Sequence, residues 1–299
     1  MKRSRDSGSA PVVVITGASS GIGRATALAF ARQGASLVLA ARTMSSLTEV
    51  VEECVTAGGS AIAVRTDVSS EPENAALVRA AVREYGRIDT WVSAASVYGY
   101  GTIENTPREV FWRLFDVNVF GTVNAARAVL PQFREQGGGG IIIVGSVFSR
   151  ITAPYVSAYV MSKHAVLGFS EVLRQEVRRD GITVTCILPA TIDTPIYQHA
   201  ANYTGHEVKP LPPVVSAERV AKAIVRNAHR PRRTVVVGAV QGLGIPAHRL
   251  LGGVYDRLVL KAMNRIALGD ERSRASQGTV FVSDPESNAV SGGWRRRGR

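Results

Sequence analysis

Val12-Val13-Val14-Ile15 is an apolar, β-branched run, and Thr16-Gly17-Ala18-Ser19-Ser20-Gly21-Ile22-Gly23 follows it with no spacer. A helical pattern then runs from Arg24 to Gln33 and stops at Gly34. The apolar run suits a strand buried on both faces, as in parallel sheets. Glycines in the turn let the main chain approach a pyrophosphate, and the free N–H groups at the start of a helix favour an anion there. The spacing is G-x-x-x-G-x-G rather than G-x-G-x-x-G. The strand before it and the helix after it favour a nucleotide-binding βαβ unit over an ordinary glycine turn.

The alternation continues along the chain. Strand-like runs are expected at 36–41, 61–65, 88–93, 141–145, 182–188 and 234–237, and helical patterns at 45–57, 72–85, 107–134, 155–179 and 216–228. Alternating strands and helices predict an α/β fold: a Rossmann-like, doubly wound parallel sheet of about seven strands. The expected organisation is a flexible N-terminus at 1–10, one dinucleotide-binding catalytic domain at 11–240 and a C-terminal extension at 241–299. Residues 190–215 break the rhythm after the carboxyl end of a strand, where open α/β sheets bind ligands, and are expected to form a lid without regular structure. In the extension, Leu250, Leu251, Val254, Leu258, Val259, Ala262, Met263 and Ile266 recur at near-helical spacing. They predict a helix over 246–268, packed on the body or on a second subunit in preference to a membrane surface. From Gly269 onward the chain is polar and basic, and partial disorder is expected.

The 299 residues are 45% apolar, which suffices for a sizeable core. No apolar run approaches the roughly 18 residues that a bilayer span requires. The N-terminus is basic but lacks the apolar stretch of a signal peptide. Cys54 and Cys186, the two cysteines, fall in a helical and a strand pattern. They suit buried thiols in a reducing compartment, so a cytoplasmic protein is expected. The formal charge of +12 lies toward the ends: residues 226–299 carry 14 basic and five acidic side chains, against 19 and 18 in residues 10–225. The body therefore carries no basic patch, and few aromatics interleave the arginines of the tail, which argues against nucleic acid.

Two further features bear on chemistry. Ala41 and Arg42 end the second expected strand, where an acidic residue would bind a ribose 2′-hydroxyl; an arginine pairs instead with a 2′-phosphate. Ser146 closes the run Ile141-Ile142-Ile143-Val144-Gly145, and Tyr159 and Lys163 lie four apart, on one face of a helix. An ammonium beside a phenol lowers its pKa from an ordinary value of about 10. A hydroxyl such as Ser146 can hold a carbonyl or alkoxide oxygen against the same phenol. Together they make a proton donor and acceptor for a C=O/CH–OH centre.

As a set, these residues resemble the short-chain dehydrogenase/reductase family over residues 11–240. Thr16 to Gly23 matches the family's coenzyme motif, which assigns coenzyme contacts to Gly17, Ser19, Ser20, Gly21, Ile22 and Gly23. Asp67, with Val68 beside it, matches the aspartate that binds the adenine ring. Asn118, Ser146, Tyr159 and Lys163 match the catalytic tetrad. The stretch Pro189-Ala190-Thr191-Ile192-Asp193-Thr194 resembles P-G-x-x-x-T, whose threonine contacts the nicotinamide carboxamide, so Pro189, Ile192 and Thr194 join the coenzyme set. There are departures. Ser93-Ala94-Ala95-Ser96 replaces the usual N-N-A-G: Ser93 can still hydrogen-bond, Ala94 cannot, and Ser96 adds bulk beside the coenzyme. Ala190 replaces a glycine, and Val147-Phe148-Ser149 follows Ser146 where small residues are common.

The resemblance implies an oxidoreductase that prefers NADP(H), with NAD(H) the alternative, and interconverts a carbonyl and a primary or secondary alcohol. Tyr159 would be the general acid/base and Ser146 would hold the carbonyl oxygen. Lys163 would lower the phenol's pKa and hold the nicotinamide ribose, and Asn118 would anchor a water relaying protons to Lys163. A homodimer or homotetramer is implied, and no metal. Tyr98, Tyr100, Phe148, Tyr155, Ile192, Ile196 and Tyr197 are expected to line an apolar pocket for a small carbonyl or alcohol. The competing reading is a coenzyme-binding sensor or scaffold with little turnover, motivated by the altered 93–96 segment and the long tail. The Tyr159–Lys163 pair argues against it, because a binding module has no need of one.

Overall fold

The computed structural model describes residues 10–284, 286 and 288–297. Residues 1–9 of the expected flexible N-terminus and the last two residues of the basic tail lie outside the described residues. Seven strands form one parallel sheet: β1 (Val12–Thr16), β2 (Ser36–Ala41), β3 (Ser60–Arg65), β4 (Thr90–Ser93), β5 (Gly139–Val144), β6 (Ile182–Pro189) and β7 (Thr234–Val237). Their order is β7-β6-β5-β4-β1-β2-β3. The order reverses between β1 and β4, which pair from Val13↔Thr90 to Thr16↔Ser93. Such a switch point leaves a crevice at the carboxyl ends of the strands, where the glycine turn emerges.

The helices that flank the sheet are α1 (Gly21–Ala31), α2 (Met44–Thr56), α3 (Glu71–Tyr85), α4 (Arg108–Phe115), α5 (Gly121–Glu135), α6 (Ser157–Glu176) and α7 (Ala217–His229). Successive side chains of a strand point to opposite faces, and the two main cores follow that rule. Val13 and Ile15 cluster with Phe30, Leu47, Val50 and Ile224 from α1, α2 and α7. Val14 clusters with Leu77, Val129, Phe133 and Leu173 from α3, α5 and α6. Local signals set the ends of α3: the Ser70 hydroxyl accepts the Glu73 N–H at 3.4 Å, and Gly86 closes the helix with φ 76°. Ser216, expected to cap α7, occupies that position without a capping hydrogen bond from its side chain.

Three expectations change. The helix expected over 107–134 is interrupted at Asp116–Phe120 by a π-helical turn. The extra residue in that turn rotates the helix, and Asn118 is buried within it, 1% exposed. The lid is less irregular than its prolines suggest. Ala201–Tyr203 pairs with Gly99–Gly101, and His206–Val208 pairs with Leu268–Arg272 of the extension. Finally, the helix expected over 246–268 is divided into Gly244–Leu250, Gly252–Ala262 and a π turn at Met263–Ala267. Met263 and Ala267 are buried against the body, while Leu250, Leu251, Val254 and Leu258 stay exposed in the single chain. Among the described residues no helix is long and apolar enough to cross a membrane.

The tightest contact in the fold lies at the switch point. Gly17 has φ 68°, and a Cβ there would meet the Ala95 Cα and N at 2.7 Å. Gly86 has a similar φ of 76° with nothing within 4 Å. Alanine at either position incurs about 1–2 kcal/mol of left-handed strain. Only Gly17→Ala also drives a methyl into main chain, which adds roughly 1–3 kcal/mol. Denaturant unfolding should therefore find Gly17→Ala clearly less stable than Gly86→Ala; equal losses would mean that the β1–β4 junction yields.

Candidate active site

One cavity of about 680 Å³ runs along the carboxyl edge of the sheet. Of the residues singled out by sequence, Gly17, Ser19, Ser20, Gly21, Ile22, Gly23, Arg42, Asp67, Val68 and Ala94 line one part of it; Ser146, Tyr159, Lys163, Pro189, Ile192 and Thr194 line the rest. Two of the expected site residues stand behind the wall. The Ser93 hydroxyl, which can hydrogen-bond, is buried with no partner in the protein. The Asn118 side chain is fully used by protein: Oδ1 accepts from the Val97 N–H at 2.9 Å and the Ser96 hydroxyl at 3.0 Å, and Nδ2 donates to the Val97 carbonyl and the Ser162 hydroxyl, both at 3.1 Å. A side-chain amide has no more strong bonds to give. Asn118 therefore braces the segment after β4, and Ser96, a departure from the family pattern, is part of that brace.

At the inner end, α6 brings Tyr159 and Lys163 to the end of β5. Lys163 is 2% exposed and donates from Nζ to the Val144 carbonyl at 3.1 Å. Burial pulls its ammonium down to about 8. Nζ lies 5.4 Å from the centroid of the Tyr159 ring. The Tyr159 phenol is pushed well above its ordinary value by burial first and by Tyr197 second, and a hydrogen bond from the Ser146 hydroxyl offsets part of the rise. The lowering by Lys163 expected from the spacing is not found, because burial dominates and the ammonium is engaged with a carbonyl. Ser146 itself is fixed by a capping box with Ser149, and its hydroxyl accepts the Phe148 N–H at 3.2 Å.

The apolar pocket has a partly different wall from the one expected. Tyr98 lies against Tyr159 with ring centroids 4.1 Å apart, Phe148 meets it edge-on at 6.3 Å, and Tyr197 and Ile196 also line the cavity. Tyr100 stacks behind Tyr98 at 4.9 Å and does not line it. Tyr155, at φ 67°, turns away and donates to Asn264 Oδ1 at 2.7 Å. Their places are taken by Leu211 and by Tyr255, Leu258, Val259 and Ala262 of the extension. The apolar stripe in 246–268 was the signal for these residues, but nothing in its spacing says that it faces the pocket.

At the other end, the tail expected to be partly disordered lies along the mouth of the cavity. Arg42 donates to the carbonyls of Thr279, Val280 and Phe281 at 2.8, 3.4 and 3.2 Å. The Thr43 hydroxyl donates to that of Ser283 at 2.7 Å, Asn288 Nδ2 donates to the Ser46 hydroxyl at 2.7 Å, and Arg24 donates to the Asn288 carbonyl. The Gly21 N–H, at the start of α1, donates to the Ala289 carbonyl at 3.0 Å. Further along, Asp193 accepts from the Ser291 hydroxyl at 2.7 Å and the Trp294 N–H at 2.8 Å, and Trp294 packs edge-on against Tyr197. Asp67 is also engaged: Arg113 and Ser69 donate to it at 2.7 Å, and although burial opposes them, these bonds hold the carboxyl below its usual range.

The groove suits a dinucleotide. A Cβ at Gly23 would overlap the Gly17 carbonyl, so the turn at the start of α1 packs main chain on main chain beside the cavity, which Gly17, Gly21 and Gly23 help to line. Comparison with known proteins agrees. The sequence model of the short chain dehydrogenases matches residues 11–203. The chain is 35% identical over 259 residues to the "uncharacterized oxidoreductase YxnA" of Bacillus subtilis, covering 85% of this chain and 72% of that one. Among solved structures, a short chain dehydrogenase/reductase from Burkholderia phymatum in complex with NAD is 25% identical, with TM-score 0.74 over 83% of this chain and 95% of its own. An alcohol dehydrogenase from Thermococcus sibiricus complexed with 5-hydroxy-NADP is 25% identical, with TM-score 0.66 over 77% and 95%. The chain thus belongs to the short-chain dehydrogenase/reductase family, as an NAD(P)-binding oxidoreductase that acts on CH–OH donors.

Proposed function

We propose that this enzyme interconverts a small, apolar carbonyl compound and its alcohol, prefers NADP(H), and uses Tyr159 as the proton donor and acceptor. The observation that carries the reading is the inner end of the cavity, which Tyr159 and Ser146 line together with the Lys163 ammonium buried behind them. Gly17 to Gly23 would hold the pyrophosphate, Asp67 and Val68 the adenine, and Thr194 the carboxamide. The coenzyme supplies or accepts the hydride. Ser146 holds the substrate oxygen against the phenol. Burial keeps that phenol protonated, which is the form that gives a proton to a carbonyl oxygen; alcohol oxidation needs the proton to leave first. Asn118 acts as a positioning residue. Tyr98, Phe148 and Tyr197 line this end with apolar surface and favour an apolar substrate.

Tyr159→Phe keeps the ring packing and removes the acid. Turnover on a carbonyl panel should fall by about 10²–10⁴ while coenzyme affinity changes little. A variant that retains most of the wild-type rate would remove Tyr159 from the chemistry.

Support for NADP(H) is Arg42, at the end of β2 with no acidic residue beside it. A charge-assisted bond to a 2′-phosphate is worth about 1.5–3 kcal/mol. The ratio of NADPH to NADH affinity should therefore drop roughly ten- to a hundredfold in Arg42→Ala. Equal wild-type affinities for the two coenzymes would refute this role.

Lys163 also leaves a mark on stability. Its folded value of about 8 lies below its ordinary 10.5. Between those values the unfolded chain holds a proton that the folded chain has released, so stability rises with pH across the window. Compared with Lys163→Met, the wild type should gain up to about 3 kcal/mol from pH 8 to 10.5. A difference that stays flat in unfolding titrations would show that the ammonium is solvated.

A further inference from the structure

The polar groups at the Arg42 end of the groove are satisfied by the chain itself. The guanidinium of Arg42 and the first N–H of α1 are the donors that would meet a 2′-phosphate and a pyrophosphate, and both donate to main-chain carbonyls of the tail. Val280 is fully buried in the apolar cluster that contains Val68 and Val117. Its carbonyl accepts from Arg113, which also holds Asp67. A segment that only crossed the surface would leave these groups to solvent. This one presents an apolar side chain to the Val68 cluster and carbonyl oxygens to the cations, the pattern of contacts that an adenosine with its phosphates would make there.

We propose that the adenosine half of the coenzyme groove is also the docking site of the chain's own residues 279–284, 288 and 289, so that this segment and coenzyme occupy it in turn. The inference rests on the reading of Arg42, Asp67 and Val68 as the adenosine end. Its physical consequence follows from population arithmetic: a site that is open a tenth of the time binds roughly tenfold more weakly than its open form. Both coenzymes are weakened by the same factor, because both require the same release. A 2′-phosphate offers Arg42 an ionic partner in place of neutral carbonyls, so NADPH recovers more on displacing the segment. The segment continues to Asp193 and Gln198, so its release also frees the loop after β6 that would contact the nicotinamide.

The test uses the full chain. The Thr43 and Ser283 hydroxyls touch at 2.7 Å, so Thr43→Cys with Ser283→Cys can lock the segment by oxidation; the native Cys54 and Cys186 are buried and free. NADPH binding is followed by fluorescence titration with and without reductant. The locked form should bind roughly tenfold or more weakly than the reduced form. In a second variant, Val280→Asp, a charge in an apolar site unseats the segment, and affinities for NADPH and NADH should rise by the same factor. In the wild type, hydrogen exchange at Thr279, whose N–H donates to the His199 carbonyl at 2.9 Å, should accelerate when NADPH is added. Locked protein that binds as tightly as reduced protein, or more tightly, would make the segment a roof over bound coenzyme and overturn the proposal. If neither the reduced form nor Val280→Asp binds either coenzyme, the assignment of the adenosine end is itself wrong, and the proposal goes with it.

Discussion

The structure depends on main chain meeting main chain at the carboxyl end of β1. Gly17 lies against Ala94 and Ala95, and Gly23 against Gly17, with no space for a side-chain atom in either contact. Close packing of the turn lets α1 start immediately after the strand, and that start points the free N–H groups of the helix into the crevice. The order β3-β2-β1-β4-β5-β6-β7 then brings the ends of β4, β5 and β6 to the same edge. Residues far apart in sequence, from Gly17 to Thr194, come to line one cavity for that reason.

Burial governs the chemistry at the inner end more than pairing does. Lys163 and Tyr159 are close in sequence and in space, yet the ammonium bonds to the Val144 carbonyl, and burial is the largest influence on the phenol. Desolvation moves the two groups toward their neutral forms, the lysine downward and the tyrosine upward. The departures from the family pattern at 93–96 are absorbed in the same region. Ser96 bonds to Asn118, and the main chain of Ala94 and Ala95 packs directly on Gly17.

The extension is built into the site rather than appended to it. Residues Leu268–Arg272 pair with His206–Val208, which ties the extension to the lid. The preceding helix contributes Tyr255, Leu258 and Val259 to the wall of the cavity, and the following segment runs along its mouth from Arg42 to Asp193. Composition misled here. The tail is polar and poor in apolar clusters, the usual mark of disorder, but carbonyl oxygens need no apolar residues to find partners. The body offers three arginines, Arg24, Arg42 and Arg113, to receive them.

What the sequence determined by itself was local or periodic. Apolar runs marked β1, β2 and β7, Ser70 and Gly86 bounded α3, and the spacing of Tyr159 and Lys163 placed both on one helix face, because a helix or strand is encoded in residues that neighbour one another. The glycine turn and the residues resembling the family's motifs located the cavity for the same reason. Only the tertiary structure decided the rest. The π turn at Asn118 has no proline or glycine inside it to announce it. The loss of Tyr100 and Tyr155 from the pocket wall, and the path of 279–284 over Arg42 and of 288–294 beyond it, depend on contacts between segments more than 260 residues apart. Even the direction of the Tyr159 shift was out of reach, since it is set by how much water the whole fold excludes.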